Sequence, residues 1–368
     1  MARNRVPLFA RESSLTPIKA EILRRVGGII DSGTYIQGED VAAFEQEFAS
    51  YLGREHCVSV ANGTDALMIG LIALGVSPGD EVVVPAVTFF ATAEAVAAVG
   101  ARPVFADVDP RTWTLTASTV EPVITASTTA IIPVHIFGNP APMDELGKLA
   151  DSYGLPLLED AAQAAGASYG GKMAGAIGTA AAFSFYPGKN LGAIGDAGAL
   201  VTDDPEVAAM ARLLREHGSA DRRIHTEVGF NSRMDSIQAA ALRIALPFLD
   251  EWTESRRLAA DSYRGSGMDE LVGLPTETEG GSSCHHLYVI TSDRRDELQV
   301  GLEEAGVETR AYYSPAIPSQ PAMRAFAPAG LLPGMVNYEN SALAIPMGES
   351  LGVTGAETVA EAIRTVLA

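Results

Sequence analysis

From about residue 55 the chain alternates short apolar runs with helix-like segments, and this alternation restricts the fold more than any other feature. The candidate strands are "EVVVP" (81–85), "RPVFAD" (102–107), "TAIIPVHIF" (129–137), "LPLLED" (155–160), "AAAFSF" (180–185) and "GALVTD" (198–203). Helix signals lie between the earlier ones: "TDALMIGLIAL" after Gly63, "TAEAVAAVG" ending at Gly100, and "MDELGKLADSYG" closing on Gly154. A glycine just past a periodic run is a common helix stop. Strands alternating with helices call for right-handed crossovers and a mostly parallel sheet covered on both faces.

After about residue 204 the texture changes. "DPEVAAMARLLREHG" reads as an amphipathic helix, and "MDSIQAAALRIALPFLDEWTESRRLAADSYRG" as one or two long helices interrupted near Pro247. The last hundred or so residues break into shorter pieces around loops such as "TETEGGSS" (276–283) and "YYSPAIPSQPAM" (312–323). The expectation is therefore a large α/β domain over 1–245 and a smaller α/β C-terminal domain over 246–368. The N-terminal helix "PIKAEILRRVGGIIDSG" is expected to pack on the smaller domain or on a partner chain. A chain of 368 residues exceeds the size at which one hydrophobic core usually stops growing, which agrees with two units.

Charge and cysteine usage exclude several classes of function. The formal net charge of −20, from 46 acids against 26 bases, argues against a nucleic-acid surface built of clustered Lys and Arg. It leaves room for an anionic small substrate, because a few arginines in one cleft create a local positive field. Cys57 and Cys284 are too few for a disulfide framework or a four-ligand metal site, read as buried or inert thiols, and fit a reducing cytoplasm. The longest stretch without a formal charge, Pro122 to Met143, carries four prolines and a histidine, so it is no membrane span. The opening "MARNRVPLFARESS" has no apolar h-region, and no secretory signal is expected.

The stretch "AFSFYPGKNLGAIGDAGALV" (182–201) sets Lys189 among glycines and raises the question of phosphate loop or reactive amine. The ATP-binding pattern G-x-x-x-x-G-K-[ST] fails there, since residue 183 is Phe and residue 190 is Asn. "GASYGGK" (166–172) meets the glycine spacing, but Met173 stands where a hydroxyl should hold magnesium. "GAIGDAG" (192–198) does not match the dinucleotide fingerprint. What remains is a lysine just past an expected strand, open to two readings: a solvated turn residue or a nucleophile.

Three other segments bear on that choice. "VANGTDAL" (60–67) puts Gly63 and Thr64 at a helix start, where free N–H groups and the helix dipole hold phosphate, or where Asn62 or Thr64 simply caps the helix. "LPLLEDAAQAAG" ends a strand in Asp160, with Gln163 following; Asp160 either faces a ligand at the carboxyl end of the sheet or caps a following helix. "PAVTFFATAEA" (85–95) puts Phe89 and Phe90 at another strand end, one of them free to stack on a flat ligand. His135 and His217 read as structural. A lysine amine, a buried acid, a phosphate cradle and an aromatic platform together are what pyridoxal 5'-phosphate (PLP) requires.

Over nearly its whole length the chain resembles the DegT/StrS group of PLP-dependent nucleotide-sugar aminotransferases, which have the aspartate-aminotransferase (type I) fold. The resemblance runs from "GTYIQGEDVAAFEQEFASYLG" (33–53) through "VSVANGTDAL", "VVVPAVTFFATAEAV", "PVHIFGNPAPMDEL", "LLEDAAQAAGASYGGKMAGAIG" and "FSFYPGKNLGAIGDAGALVTDD" to "GFNSRMDSIQAA" (229–240). It implies that Lys189 is the Schiff-base lysine, Asp160 the partner of the pyridinium nitrogen, and Phe89 the residue stacked on the ring. Gln163 then bonds the ring oxygen, while Gly63, Thr64 and Ser184 contact the phosphate. Asn231 would reach the phosphate of a neighbouring subunit, which implies a homodimer. Tyr186 and Tyr313 would face the sugar, although Pro318 replaces a histidine often found in that loop.

The activity so implied is a ping-pong transamination. L-glutamate would load the amine, and a keto-6-deoxysugar on a nucleoside diphosphate, dTDP in the first instance, would receive it. The form around Lys189 resembles enzymes acting at C3 rather than C4. The alternatives are a C4 aminotransferase, a PLP-dependent sugar dehydratase, a cyclitol aminotransferase, or a non-enzymatic sensor. Members that dehydrate sugars carry histidine in place of the lysine, so Lys189 favours transamination.

Overall fold

The computed structural model describes residues 5–9 and 14–368, so most of the opening stretch read for a signal lies outside the described residues. Its strands are β1 (His56–Val60), β2 (Glu81–Pro85), β3 (Arg102–Ala106), β4 (Thr128–Ile131), β5 (Leu158–Asp160), β6 (Ser168–Tyr169), β7 (Lys172–Met173), β8 (Ala180–Ser184), β9 (Gly198–Thr202), β10 (Gly281–Ser282), β11 (Tyr288–Thr291) and β12 (Ala342–Ile345).

A parallel three-stranded patch in the order β3-β2-β4 lies beside a four-stranded patch in the order β1-β9-β8-β5. Parallel bridges from Ile131 to Leu157 and from Val134 to Asp160 join them into one seven-stranded sheet. All six expected runs contribute strands to it, and β1 adds a seventh that the sequence pattern had not singled out. The one departure from parallel order is β9, antiparallel to both neighbours. Its cause is local. The link over 185–197 contains no helix to carry the chain back across a face, so the strand returns beside β8 in reverse. That same link carries Lys189.

Helices cover both faces of the sheet. Gly63–Ala73 is anchored by Asn62, whose side chain accepts from Asp65 N at 2.8 Å, and Met143–Tyr153 stops at Gly154 in the left-handed region (φ 66°). On one face, Phe44 and Phe48 from helix Glu39–Leu52 meet Phe183 and Phe185 edge-on, with centroids 5.0–5.3 Å apart. Edge-to-face pairs of this kind add to the gain from burial alone. The helix Lys19–Ser32 packs not on the C-terminal residues but against Ser236–Ala245, and its Leu23 and Ile30 stay exposed.

Beyond Ser236–Ala245 a short turn containing Pro247 leads into helix Leu249–Gly265. With Arg295–Glu304 and Gly352–Leu367 this helix flanks the antiparallel pair β11–β12 around a separate apolar cluster that includes Tyr263, Tyr288, Leu298, Leu343 and Ile363. Among the described residues no helix is long and apolar enough to cross a membrane.

Candidate active site

Parallel neighbours β5 and β8 end at the same edge of the sheet, with Asp160 opposite Ala182. The chain then turns: Lys189 N donates to Tyr186 O at 2.8 Å, and the lysine amine comes within electrostatic reach of the Asp160 carboxylate. Burial pushes the Lys189 amine down to about 8, against the opposing pull of Asp160. Desolvation disfavours the ammonium, and the carboxylate only partly restores it. Labelling of Lys189 with an amine-reactive reagent in the cofactor-free protein should therefore rise about tenfold per pH unit below 8 and level off above it. A midpoint near that of free lysine, read by peptide mass mapping, would show an ordinary surface amine.

Asp160 is buried, and burial raises its pKa while Thr92, the Ala162 N–H and Lys189 pull the other way. Thr92 Oγ1 donates to one carboxylate oxygen at 2.8 Å and Ala162 N to the other at 3.2 Å; Thr88 bonds Thr92 at 2.9 Å. No helix follows Asp160, because residues 161–167 form turns, so the capping alternative falls away. The preceding residue, Glu159, points to the opposite face. It takes His135 Nε2 at 2.8 Å and three backbone N–H groups, from Gly175, Ile177 and Gly178. Despite its burial, these donors hold Glu159 below the usual carboxylate range. His135 accepts from Ala141 N on Nδ1, so it is a structural link between loops.

Gly63, Ser184 and Gly198 meet at the same edge. A Cβ on Gly63 would lie 2.7 Å from Ser184 Cβ, and one on Gly198 would lie 2.4 Å from the Asn62 carbonyl. Asn62 takes the capping role, and the Thr64 hydroxyl has no hydrogen-bond partner among the described residues. The result is a helix N-terminus of closely approaching backbone, packed on Ser184 and Asn62, whose free N–H groups suit an anion.

Gln163 is buried and its amide is oriented from both ends. Phe137, in the left-handed region at φ 58°, gives its N–H to Oε1 at 2.8 Å, and Nε2 donates to the Tyr313 hydroxyl at 3.1 Å. The Phe89 ring is about half exposed (52%) and lies 5.5 Å from Tyr313, whereas Phe90 packs against the core. Tyr186 stands exposed beside Gly188. Tyr313 is half-buried on Phe89 and Phe137. Asn231 is exposed beside Ser232, whose Oγ accepts from Ala61 N at 3.1 Å, and makes no side-chain hydrogen bond among the described residues. Pro318 is buried in a short turn.

Sequence reasoning missed Thr88 and Thr92, a hydroxyl pair four apart just past β2, and the clamp on the lysine loop. There the buried Asn190 donates to Cys284 O at 2.9 Å and accepts from His286 Nδ1 at 3.1 Å. Only "KN" itself hinted at the clamp, since a buried amide directly after the lysine needs partners. Cys57 and Cys284 are buried free thiols, and burial raises both. Among the described residues no cluster of His, Cys, Asp or Glu could hold a metal ion.

These residues fit PLP on three counts: an amine lowered to about 8 and so partly unprotonated at neutral pH, a buried carboxylate beside it, and a helix N-terminus where Gly63 and Gly198 lie so close to Ser184 and Asn62 that no Cβ fits. Comparison with known proteins agrees. The profile of the DegT/DnrJ/EryC1/StrS aminotransferase family matches residues 16–364. A dTDP-3-amino-3,4,6-trideoxy-alpha-D-glucose transaminase from Streptomyces venezuelae is 42% identical, over 98% of this chain and 96% of its own length. A pleiotropic regulatory protein from Geobacillus stearothermophilus is 41% identical, over 97% of both chains. The crystal structure of S. venezuelae DesV in complex with a ketimine intermediate superposes with a TM-score of 0.95, at 42% identity and 98% coverage of each chain. The expected PLP-dependent type I transferase fold is borne out. The chain belongs to the DegT/DnrJ/EryC1/StrS aminotransferase family and is a PLP-dependent aminotransferase.

Proposed function

We propose that this aminotransferase moves an amine from L-glutamate to a keto-6-deoxysugar carried on a nucleoside diphosphate, dTDP in the first instance, with C3 favoured over C4. The observation that carries the reading is the convergence of Lys189, Asp160 and the Gly63–Ser184–Gly198 cradle on one sheet edge, in a chain whose relatives include a dTDP-amino-sugar transaminase. Lys189 would attach the cofactor. Asp160 would set its carboxylate against the ring nitrogen, Phe89 would stack on the ring, and Gln163 would bond the ring oxygen. Gly63, Thr64 and Ser184 would hold the phosphate. When bound, PLP supplies a protonated ring that draws electrons from the carbon losing its proton.

Lys189 then acts through its own nitrogen. An amine near pKa 8 is partly unprotonated at neutral pH, so it takes a proton from the substrate carbon and returns it. Tyr186, exposed at the mouth, and Tyr313, deeper on Phe89, contact the sugar. Mixing with L-glutamate alone should bleach the absorbance of the lysine-bound cofactor and release 2-oxoglutarate, and dTDP-3-keto sugars should then restore the band faster than dTDP-4-keto sugars. Absence of any response to glutamate would leave a sensor role, and a faster 4-keto response would move the amination to C4.

The cradle gives a second expected result. Gly63→Val places a branched side chain on Ser184, and PLP affinity should fall at least about tenfold with the fold intact, since overpacking at a tight contact costs about 1–3 kcal/mol. Titration of the cofactor-free variant with PLP measures this, and unchanged affinity would move the phosphate elsewhere.

Asn231 supports a homodimer with shared sites. It is exposed on an arm that also leaves Ile224 (69%) and Val228 (94%) in the open, and its amide has no partner within its own chain among the described residues. In the dimer it would reach the neighbour's phosphate. Mixed dimers of Lys189→Ala and Asn231→Ala subunits should recover activity that neither parent has, because one of the two shared sites is then intact. No recovery on subunit exchange would overturn the arrangement.

A further inference from the structure

We propose that Arg310 is a recognition residue for a substrate oxyanion, either the carboxylate of the amino donor or a phosphate of the nucleotide; the inference rests on the transaminase reading above and extends it. A cleft of about 330 Å³ opens between the end of β2 and the 310–320 loop. Its walls include Thr88, Phe89, Phe90, Arg310, Tyr312 and Tyr313. Phe89 and Tyr313 belong to the site already described, and Thr88 reaches Asp160 through Thr92. The cleft thus shares wall residues with the site, Thr88 reaching Asp160 through Thr92 and Tyr313 accepting from Gln163. Among the described residues no Asp or Glu lines it, and Arg310 is the one cation.

That charge stands out in a chain with 46 acids and 26 bases. Arginines buried deeper in the chain are matched to acids: Arg54 with Asp203 at 2.7 Å, Arg215 with Glu45 at 2.5 Å, and Arg256 with Glu349 at 2.8 Å; Arg310 stands exposed at the cleft. Arg310 makes no ion pair among the described residues. Its guanidinium lies over the Tyr312 ring, 5.6 Å from the centroid, and Nη1 makes only a long contact of 3.5 Å to the Tyr312 hydroxyl. Stacking on an aromatic face orients an arginine while leaving its N–H fork open for two-point contact with a carboxylate or phosphate.

The surrounding backbone is built to hold that position. Arg310 and Ala344 exchange both main-chain hydrogen bonds, at 3.1 and 2.8 Å, which ties the arginine to β12. Glu339, the acid that touches the loop beyond it, is turned away to accept from Ala316 N at 3.2 Å and Ser319 Oγ at 3.4 Å. This carboxylate, from the helix Pro333–Ser341, therefore fixes the wall and does not neutralise the cleft. A net acidic protein that binds two anionic substrates needs a local positive field, and the cleft supplies one.

The test uses Arg310→Gln and Arg310→Lys in the PLP-loaded enzyme with two probes, L-glutamate alone and dTDP alone. Wild type is expected to bleach with glutamate and to bind dTDP by calorimetry. If Arg310 takes the donor carboxylate, Arg310→Gln raises the concentration of glutamate needed for half-maximal bleaching rate by about 10–100-fold and leaves dTDP affinity unchanged, because hydrogen bonds to charged groups are worth that much. If it takes a nucleotide phosphate, dTDP affinity falls by the same factor and the glutamate response stays. In either case Arg310→Lys recovers part of the loss, since it restores the charge without the fork. Arg310→Gln with both responses at wild-type values overturns the inference. A wild-type enzyme that answers neither probe overturns the transaminase reading and the inference with it, and that outcome is visible before any variant is made.

Discussion

Lys189→Ala abolishes the visible absorbance of the lysine-bound cofactor and lowers transamination by at least about 100-fold, the lower range for loss of a general acid–base group, with a further drop from lost covalent attachment. The fold should survive the change. The loop is held by the Lys189 N–H on Tyr186 O and by Asn190 on Cys284 and His286, none of which involves the lysine side chain. The variant should still bind PLP through the cradle, without the spectral shift of attachment. Borohydride reduction followed by peptide mapping places the label on Lys189 in the wild type. Retained turnover in the alanine variant would remove Lys189 from the chemistry.

Asp160→Asn is the second large effect, and it separates charge from shape. Asparagine is nearly isosteric and its Oδ1 can still accept from Thr92 or from the Ala162 N–H, so the local turn persists. What disappears is a buried negative charge beside a group that must remain positive. Turnover should fall by at least about 100-fold and PLP affinity by about tenfold or more, since stranding a buried charge costs about 3–5 kcal/mol. Stability of the cofactor-free protein runs the other way. Burial raises the Asp160 pKa, so the native state holds its proton more firmly than the unfolded chain, and Asp160 contributes less stability as pH rises from 3.8 through the folded value. Asparagine escapes that loss, and the cofactor-free variant should melt no lower than wild type at pH 7. Unchanged kinetics would reduce Asp160 to a turn residue.

The fold was legible where periodicity is strong. The six apolar runs and the helices around Gly63, Gly100 and Gly154 appear as read, because burial on both faces demands uninterrupted apolar strands and because glycine ends helices cheaply. β1 escaped notice since "HCVSV" mixes a histidine and a serine into the run, and the Ser59 hydroxyl is satisfied by Glu45, at 2.7 Å, and Arg215, both distant in sequence. The antiparallel turn of β9 was hidden because glycine-rich sequence does not say whether a link crosses a face or folds back.

Within the site, chemistry-bearing residues were visible and their supports were not. Lys189, Asp160, Gly63 and Phe89 sit at strand ends or helix starts, where type and position together point to a ligand. Thr92 matters only because helix Ala91–Ala98 presents it to Asp160, which lies 68 positions further along the chain. Asn190 and His286 meet across 96 positions, and Gln163 and Tyr313 across 150. Tyr313 drew attention as a sugar contact through the resemblance, and the sequence did not show that its hydroxyl accepts from Gln163.

The sequence by itself determined the element order, the lysine that no phosphate-loop pattern explains, and a family resemblance spread over most of the chain. These are local or near-local properties: hydrophobic period, glycine placement and residue type. Only the tertiary structure decided that Asp160 is a buried acid beside Lys189 and not a helix cap, that burial brings the lysine amine near 8, and that Arg310 stands in the adjoining cleft without an ion pair among the described residues. Those depend on which distant side chains share a desolvated space. Electrostatic interaction is set by separation and burial, and neither is written in the spacing of residues along the chain.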